Sequence, residues 1–420
     1  MTSARSSKLP SNRLNRTFDS ASWTSSLCFA MAFAPLIYCW FFASFRYAPY
    51  IGLGIAVALA IGVLVLRGRV DDTGIIPLLL VATLYLLLSL GHYLPSSWTR
   101  YWIPTLAVRQ WMWVPLLLIF SSSFFVLFYN YRNFLIRNAF SLLIITFVCG
   151  RISLYFSPLQ FSNKLIFSIY TLVPENATFM IFLGFCVFFK VKPNFKNFIL
   201  LLMFIPIFTS AQSLVAYLSL LTIRFFGFGR TILAAATAVI LIGMFVGPNY
   251  VKEIYQLDSN SGFRAVLWRD ATQAILDTNF IGVGFGTEYI KNQFDPGGSK
   301  ESYVITTEHS EKRFLIGTHN TPFDITMRMG GLGLLALIYW LVFLAKPLLT
   351  SRNPDLMFSS YILMLMLINN ALNMGVTSIN FMFCTALCSG LLISIRVYNK
   401  TDLISSTVKL RPISKISDAG

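Results

Sequence analysis

The chain has 420 residues, of which 56% are hydrophobic, 15% aromatic and only 12% charged, and its mean hydropathy is +0.67. A soluble domain carries about 25% charged residues and roughly 45–50% apolar ones, so this composition excludes a soluble globule, a secreted disulfide module and a disordered chain. The net charge of +16 comes without a basic, aromatic-interleaved soluble segment, so it reads as positive charge at the ends of membrane spans and not as a nucleic-acid surface.

Residues 1–26 form a basic tail containing Arg5, Lys8, Arg13 and Arg16. The apolar run that starts at Leu27 is too long for a signal-peptide core and reads as an uncleaved first span. A span needs roughly 20 apolar residues, and the runs 27–45, 47–66, 74–92, 111–129, 139–157 and 165–190 qualify. The run 197–223 is interrupted at Pro206 and by the polar stretch Thr209–Ser213, so it reads as two short helices meeting there. Further runs at 231–247, 322–345, 356–374 and 376–395 bring the total to about twelve spans. The expected organisation is an all-α polytopic membrane protein. It has a cytoplasmic tail 1–26, nine helices over 27–247, one large extracytoplasmic loop 248–321, three helices over 322–395 and a basic cytoplasmic tail 396–420.

Charge tests this arrangement. With the N-terminus inside, the inner segments collect Arg67, Arg132, Arg137, Lys190, Lys192, Lys196, Arg224 and Arg396 besides both tails. The short outer loops and the span ends facing them hold only Arg46, Arg100, Arg109, Arg151 and Lys164. Without the split at Thr209–Ser213 the basic groups beyond it would fall on the outer side, against the positive-inside rule. The six cysteines all lie in apolar runs with no CxxC spacing, which gives neither a disulfide framework nor a metal site.

The one soluble-looking segment, 248–318, holds seven Lys/Arg and nine Asp/Glu, so it is slightly acidic in an otherwise basic chain. A loop this long is usually functional. Within it, Phe263, Val266, Leu267, Ala271, Ala274 and Ile275 recur at helical spacing, predicting an amphipathic helix over 261–277 with Ser261 as N-cap. Arg264 then falls in the first turn. It reads either as a surface group of an interfacial helix or as a guanidinium clamping a phosphate where backbone N–H groups already favour anions. Gly282-Val283-Gly284-Phe285-Gly286 lacks the G-x-G-x-x-G spacing and reads as a tight turn allowing close backbone approach.

Thr318-His319-Asn320-Thr321-Pro322 stands where the loop re-enters the membrane. A lone interfacial histidine is often structural, but this placement makes His319 the best candidate for a base, with Asn320 able to position a sugar hydroxyl. No second histidine or paired acid lies at metal-ligand spacing. Arg151 and Glu175 are ionisable groups inside spans, where charge is costly and usually faces a cavity or a partner. Arg151 is also near enough to the outer end to snorkel. Asn176-Ala177-Thr178 spells a glycosylation sequon but lies inside a span. Trp98, Tyr101, Trp102, Trp111 and Trp113 read first as an interfacial belt and alternatively as a platform for sugar rings.

In this order the features resemble the O-antigen ligase and O-antigen polymerase superfamily of bacterial membrane proteins. The residues that carry the resemblance are the polar junction Thr209–Ser213, the Arg264…Trp268 helix, Gly282-Val283-Gly284-Phe285-Gly286, His319-Asn320, and Gly330-Gly331-Leu332-Gly333. It implies a GT-C-like helical bundle in the bacterial inner membrane with its active site facing the periplasm. It further implies transfer of a glycan from an undecaprenyl-diphosphate carrier to an acceptor hydroxyl, without a cofactor. The acceptor is the lipid A core for a ligase and another carrier-linked glycan for a polymerase. By the same resemblance His319 is the catalytic group, Arg264 and Arg151 bind the donor diphosphate, and Asn320, Gln212 and Glu175 are acceptor or sugar contacts. The chain departs from many relatives at the junction, where Ala211-Gln212 stands in place of Ser-Arg.

Rival readings are a secondary transporter or a lipid-linked glycan flippase, for which inverted repeats and midplane polar groups would be expected. Metal-dependent enzymes of the GT-C class carry an acid in the first outer loop, where this chain has Arg46-Tyr47-Ala48-Pro49. Peptidoglycan polymerases use an outer-loop Asp, a role open to Asp270 or Asp277. The charge asymmetry makes a direct prediction. Single cysteines introduced at positions 260 and 300 should react with an impermeant thiol reagent in cells with a permeabilised outer membrane, whereas one at 193 should not. Labelling at 193 contradicts the split at Thr209–Ser213.

Overall fold

A computed structural model describes residues 23–42, 44, 49–67, 73–94, 102–156, 173–227, 259–286, 304–306, 313–315, 318–350, 355–373 and 377–409. The expected span 231–247, residues 1–22 and 410–420, about half of the outer loop including His309, and Trp98 and Tyr101 lie outside the described residues.

The described chain is helical apart from one short antiparallel pair, β1 (Val304–Thr306) and β2 (Arg313–Leu315), inside the outer segment. The helices are α1 (Trp23–Trp40), α2 (Pro49–Arg67), α3 (Ile76–Leu90), α4 (Pro104–Trp111), α5 (Trp113–Asn130), α6 (Arg132–Arg137) and α7 (Ala139–Tyr155). They continue with α8 (Pro174–Phe189), α9 (Phe195–Leu202), α10 (Ala211–Phe226), α11 (Ser259–Asp277), α12 (Thr321–Thr350), α13 (Asp355–Leu372) and α14 (Ile379–Lys409). Proline opens α3, α4 and α8, where its missing N–H costs nothing and its fixed φ suits the first turn.

Three stretches are long and apolar enough to cross a membrane by length and composition: Pro104–Asn130, Thr321–Lys346 and Phe381–Tyr398. Eight shorter apolar helices accompany them among the described residues. Each described helix of ten or more residues ahead of α11, and each one after it, overlaps an apolar run read from the sequence, but α14 continues to Lys409, through the first part of the expected tail 396–420. The α9 helix, with 8 residues, is only about 12 Å long at 1.5 Å per residue and does not reach across a bilayer by itself.

Side-chain contacts order the bundle into two ends. Lys190 donates from Nζ to the Arg137 carbonyl (2.6 Å), and Arg132 lies over the rings of Phe189 and Tyr398. Arg224 donates to the Val191 carbonyl (2.7 Å) and lies over Phe188, while Arg396 stacks 3.8 Å from the Phe343 ring centroid. These basic groups therefore gather at one end. The Arg224–Val191 bond also brings the end of α10 back to the segment before α9. The two helices and the 3-10 turn Ile205–Ile207 between them thus form a hairpin, closed by Tyr217 donating to the Leu201 carbonyl (2.6 Å). The two-helix reading of 197–223 matches this geometry, and Thr209–Ser213 is the hairpin's tip.

The opposite end is set by α12. Its backbone leaves helical geometry at Gly330 (φ 59, ψ −159). The carbonyls of Met327 and Arg328 instead accept from Val283 N (2.7 Å) and Gly284 N (2.8 Å), while Gly331 N donates to the Phe280 carbonyl (2.8 Å). A main-chain polar group freed by a kink must find a partner in an apolar setting, and here the 280–284 segment supplies all three. No side chain fits between them. A Cβ on Gly330 would run into the Phe280 and Ile281 carbonyls, and one on Gly282 would meet Gly330 N and Arg328 O. The tight-turn reading of the glycine run holds, and its use is to dock the outer segment into α12.

Gly330→Ala should therefore lower the thermal unfolding midpoint sharply. The positive φ alone costs about 1–3 kcal/mol, and the clash adds to it. Gly54→Ala, in α2 with nothing within 4 Å of the added Cβ, should leave the midpoint unchanged or raise it slightly. Equal midpoints for the two variants in lipid would contradict this description of the break.

Candidate active site

The α11 helix lies along the first turns of α12 through Leu267, Ala271 and Ile275 against Phe323 and Met327. This is the apolar face expected from the spacing. The helix begins at Ser259, so Ser261 is not its N-cap and Arg264 stands in the second turn rather than the first. The first-turn argument for anion binding at Arg264 therefore does not apply, and its position must be judged by its neighbours. Trp268, one turn on, stacks on Phe323 at 5.8 Å and donates from Nε1 to the Thr318 carbonyl at 2.9 Å.

That bond fixes the residue before His319. His319 itself has φ 53, a left-handed conformation costing a non-glycine residue roughly 1–2 kcal/mol. Its neighbours hold it there. Asn320 caps α12 by accepting from Phe323 N (3.1 Å) and ties α12 to the end of α13 by donating to the Ala371 carbonyl (2.9 Å). Thr318 N donates to Asp324 Oδ1 at 2.9 Å. Burial pushes the His319 imidazole below its ordinary pKa. The nearby Arg264 guanidinium pushes it the same way, and Asp324 pulls it back up. His319 is accordingly neutral near pH 7, the form that accepts a proton.

The second polar cluster joins α7 and α8. Arg151 donates from its guanidinium to Asn176 Oδ1 (3.0 Å), lies 5.4 Å from the Phe147 ring centroid, and feels the charge of Glu175. Glu175 and Asn176 are buried in the first turn of α8. The Asn176 amide is thus engaged inside the protein, in keeping with a sequon that arises by chance. Gln212 is buried at the start of α10, and its Nε2 has no hydrogen-bond partner among the described residues.

Helix directions bring these groups to one end. The contacts of Lys190, Phe188 and Phe358 put the end of α8 and the start of α13 at the basic end. The start of α8 and the end of α13 are therefore opposite, and Asn320 is bonded to that end of α13. Because α10 finishes at the basic end, Gln212 begins at the other. Arg151, Glu175, Gln212, Arg264, His319 and Asn320 thus share the end away from the basic cluster. Arg264 and His319 are within electrostatic reach of each other.

Several groups that the sequence reading passed over are built into this end. Gln110 Oε1 accepts from both Gly286 N (2.8 Å) and the buried Arg328 (2.9 Å), and Ser89 Oγ accepts from Phe285 N (2.8 Å). Trp102 donates to the Phe285 carbonyl (2.8 Å) and Trp113 is buried, so these two serve packing within the bundle rather than an interfacial belt. Asp324 and Arg328 were detectable as charges inside the apolar run 322–345, where ionisable groups are expensive. Gln110 has no such signal.

The opposed influences on His319 can be checked directly. Arg264→Gln removes a positive neighbour, so His319 should titrate at higher pH, read by NMR of protein labelled on its three histidines and assigned with His319→Ala. An unmoved titration would mean the guanidinium does not act on the ring.

Residues 176–338 match the family model described as O-Antigen ligase. The matched stretch opens at Asn176, the partner of Arg151, and contains Gln212, Arg264, the 282–286 glycines, His319 and the break at Gly330. No curated protein and no solved structure matches the chain. Through this central segment the chain is similar to the O-antigen ligase family, in line with the superfamily that its motifs resemble.

Proposed function

We propose that the protein is a glycosyltransferase of the bacterial inner membrane. It moves a glycan from an undecaprenyl-diphosphate carrier to an acceptor hydroxyl at the periplasmic face, as the polymerase or ligase of a surface polysaccharide. The observation that supports this most is the pairing of Arg264 with a neutral His319 at the end of the bundle remote from the basic cluster. In this reading the described helices belong to a GT-C-like bundle of about twelve spans, with 231–247 as one more crossing and 248–321 as the outer loop over the site.

The chemistry follows from the residue types. The acceptor oxygen bonds the anomeric carbon as its proton passes to His319 Nδ1 or Nε2. The carrier diphosphate leaves with the electron pair of the broken glycosidic C–O bond. Charge develops on that diphosphate, and preorganised donors there are worth most where water is excluded. Arg264 and Arg151 supply guanidinium forks, and the start of α8, which no side chain caps, adds its N–H groups. Gln212, with its buried Nε2, and Glu175 contact sugar or acceptor. Asn320 spends its amide on the α12 cap and serves by holding His319 in place. Donor charge is met by arginine, so the reaction needs no metal.

The test is transfer in proteoliposomes supplied with a carrier-diphosphate-linked glycan and an acceptor glycan. Activity should persist in excess EDTA. Arg264→Lys keeps the charge but loses the planar fork, and it should cut kcat/KM roughly 10- to 100-fold, the range of a charged hydrogen bond worth about 1.5–3 kcal/mol. Loss of activity to chelation with rescue by Mg²⁺, or a fully active Arg264→Lys, would contradict the mechanism. Deletion followed by glycan profiling separates the two activities. Single repeats point to a polymerase, and carrier-linked polymer with bare core points to a ligase.

A further inference from the structure

We propose that Asp324 is the positioning residue for His319: it holds the Thr318–Asn320 bend and sets a negative charge near the imidazole that opposes Arg264. The proposal rests on the reading of His319 as the base.

Asp324 stands in the first turn of α12 and is 1% exposed. A carboxylate this deeply buried is tolerated only when its lone pairs are used, and here they are. Oδ1 accepts from Thr318 N and Thr318 Oγ1, both at 2.9 Å. Oδ2 accepts from Thr377 Oγ1, also at 2.9 Å. These partners come from two places outside α12: the end of the outer segment, and the connection from α13 to α14. One side chain thus locks together the three pieces of chain that surround His319.

The bend needs that lock because His319 is held at positive φ. The Thr318 hydroxyl also lies 2.8 Å from the Asn320 carbonyl, so the residues on both sides of His319 are tied to the same short network. A purely structural cap would not require a charge. Among the described residues, Arg264 from α11 and Asp324 from α12 act on the imidazole with opposite effects. The other charge early in α12, Arg328, is bonded to Gln110. The last turn of α13 and the described part of its connection to α14 carry only neutral groups, among them Asn370, Asn373 and Thr377. Asp324 is therefore what keeps His319 basic enough to accept a proton beside a guanidinium.

Asp324→Asn is the isosteric test. Its amide oxygen still accepts from Thr318, and its NH₂ can donate to the Thr377 hydroxyl, so the bend survives while the charge goes. Without the negative neighbour the neutral imidazole is favoured. The acid limb of the pH–kcat profile, and the NMR titration of His319, should both move to lower pH. The weaker base should lower kcat about tenfold with little change in KM. Wild-type kcat with an unmoved titration overturns the proposal. If Asp324→Asn does not fold, Thr318→Val carries the test: it removes the hydroxyl's hydrogen bonds to Asp324 and Asn320 and keeps the charge, so kcat should fall several-fold with the acid limb in place, and wild-type kcat again overturns it. If His319→Ala keeps full transfer, the base reading fails. The titration of His319 still shows whether Asp324 acts on it, so the two failures are distinct.

Discussion

At Gly330 the α12 backbone gives up its own hydrogen bonds, and the carbonyls of Met327 and Arg328 bond Val283 and Gly284 of the outer segment. Most of what surrounds His319 depends on that exchange. In an apolar setting a freed carbonyl is costly unless it is paired, so the broken turn and the segment 280–284 stabilise one another. The exchange anchors the C-terminal side of α11, which ends only three residues before Phe280. The face of α11 with Leu267, Ala271 and Ile275 then lies along α12 and carries Arg264 to the level of His319. Binding of a polar substrate at a membrane surface calls for such a rigid seat, because the geometry has to be set before the substrate arrives.

Around the imidazole the electrostatics are balanced rather than one-sided. Burial and Arg264 favour the neutral ring, and Asp324 opposes them. In the proposed mechanism a guanidinium that would hold a diphosphate thus stands beside the group that would take a proton, a combination that by itself would leave the histidine too weak a base. The buried carboxylate with three hydrogen bonds is the counterweight. The Arg151, Glu175 and Asn176 cluster repeats the arrangement on α7 and α8, again with a guanidinium, a carboxylate and an amide brought together at the same end of the bundle.

Much of this was legible in the residues because hydrophobic run length and charge placement are strong constraints in a membrane protein. The hairpin of α9 and α10 followed from basic residues that would otherwise lie on the wrong side, and Arg224 bonded to Val191 reflects the same fact in space. The helix of Arg264 was visible in its apolar spacing, but its start was misplaced by two residues, since Ser259 and Ser261 are equally good opening residues. Asp324 and Arg328 were hidden inside a run counted only for its apolar content, although a charge there signals a buried partner. The aromatic residues before α5 were assigned to lipid because Trp favours interfaces. Trp102 instead donates to the Phe285 carbonyl, a long-range contact that no local pattern announces. The bend at His319 was equally illegible, as it depends on Ala371, Asn373 and Thr377, some fifty residues away along the chain.

The central claim is that His319 takes the acceptor's proton while arginine holds the donor, and separating transfer from binding tests it most directly. In reconstituted protein at equal folded amounts, His319→Ala should lower glycan transfer by about 10²–10⁴-fold, the contribution of a positioned base. Its affinity for the carrier-diphosphate-linked donor should remain that of the wild type. Transfer above roughly a tenth of the wild-type rate, below the range for such a base, would contradict the account.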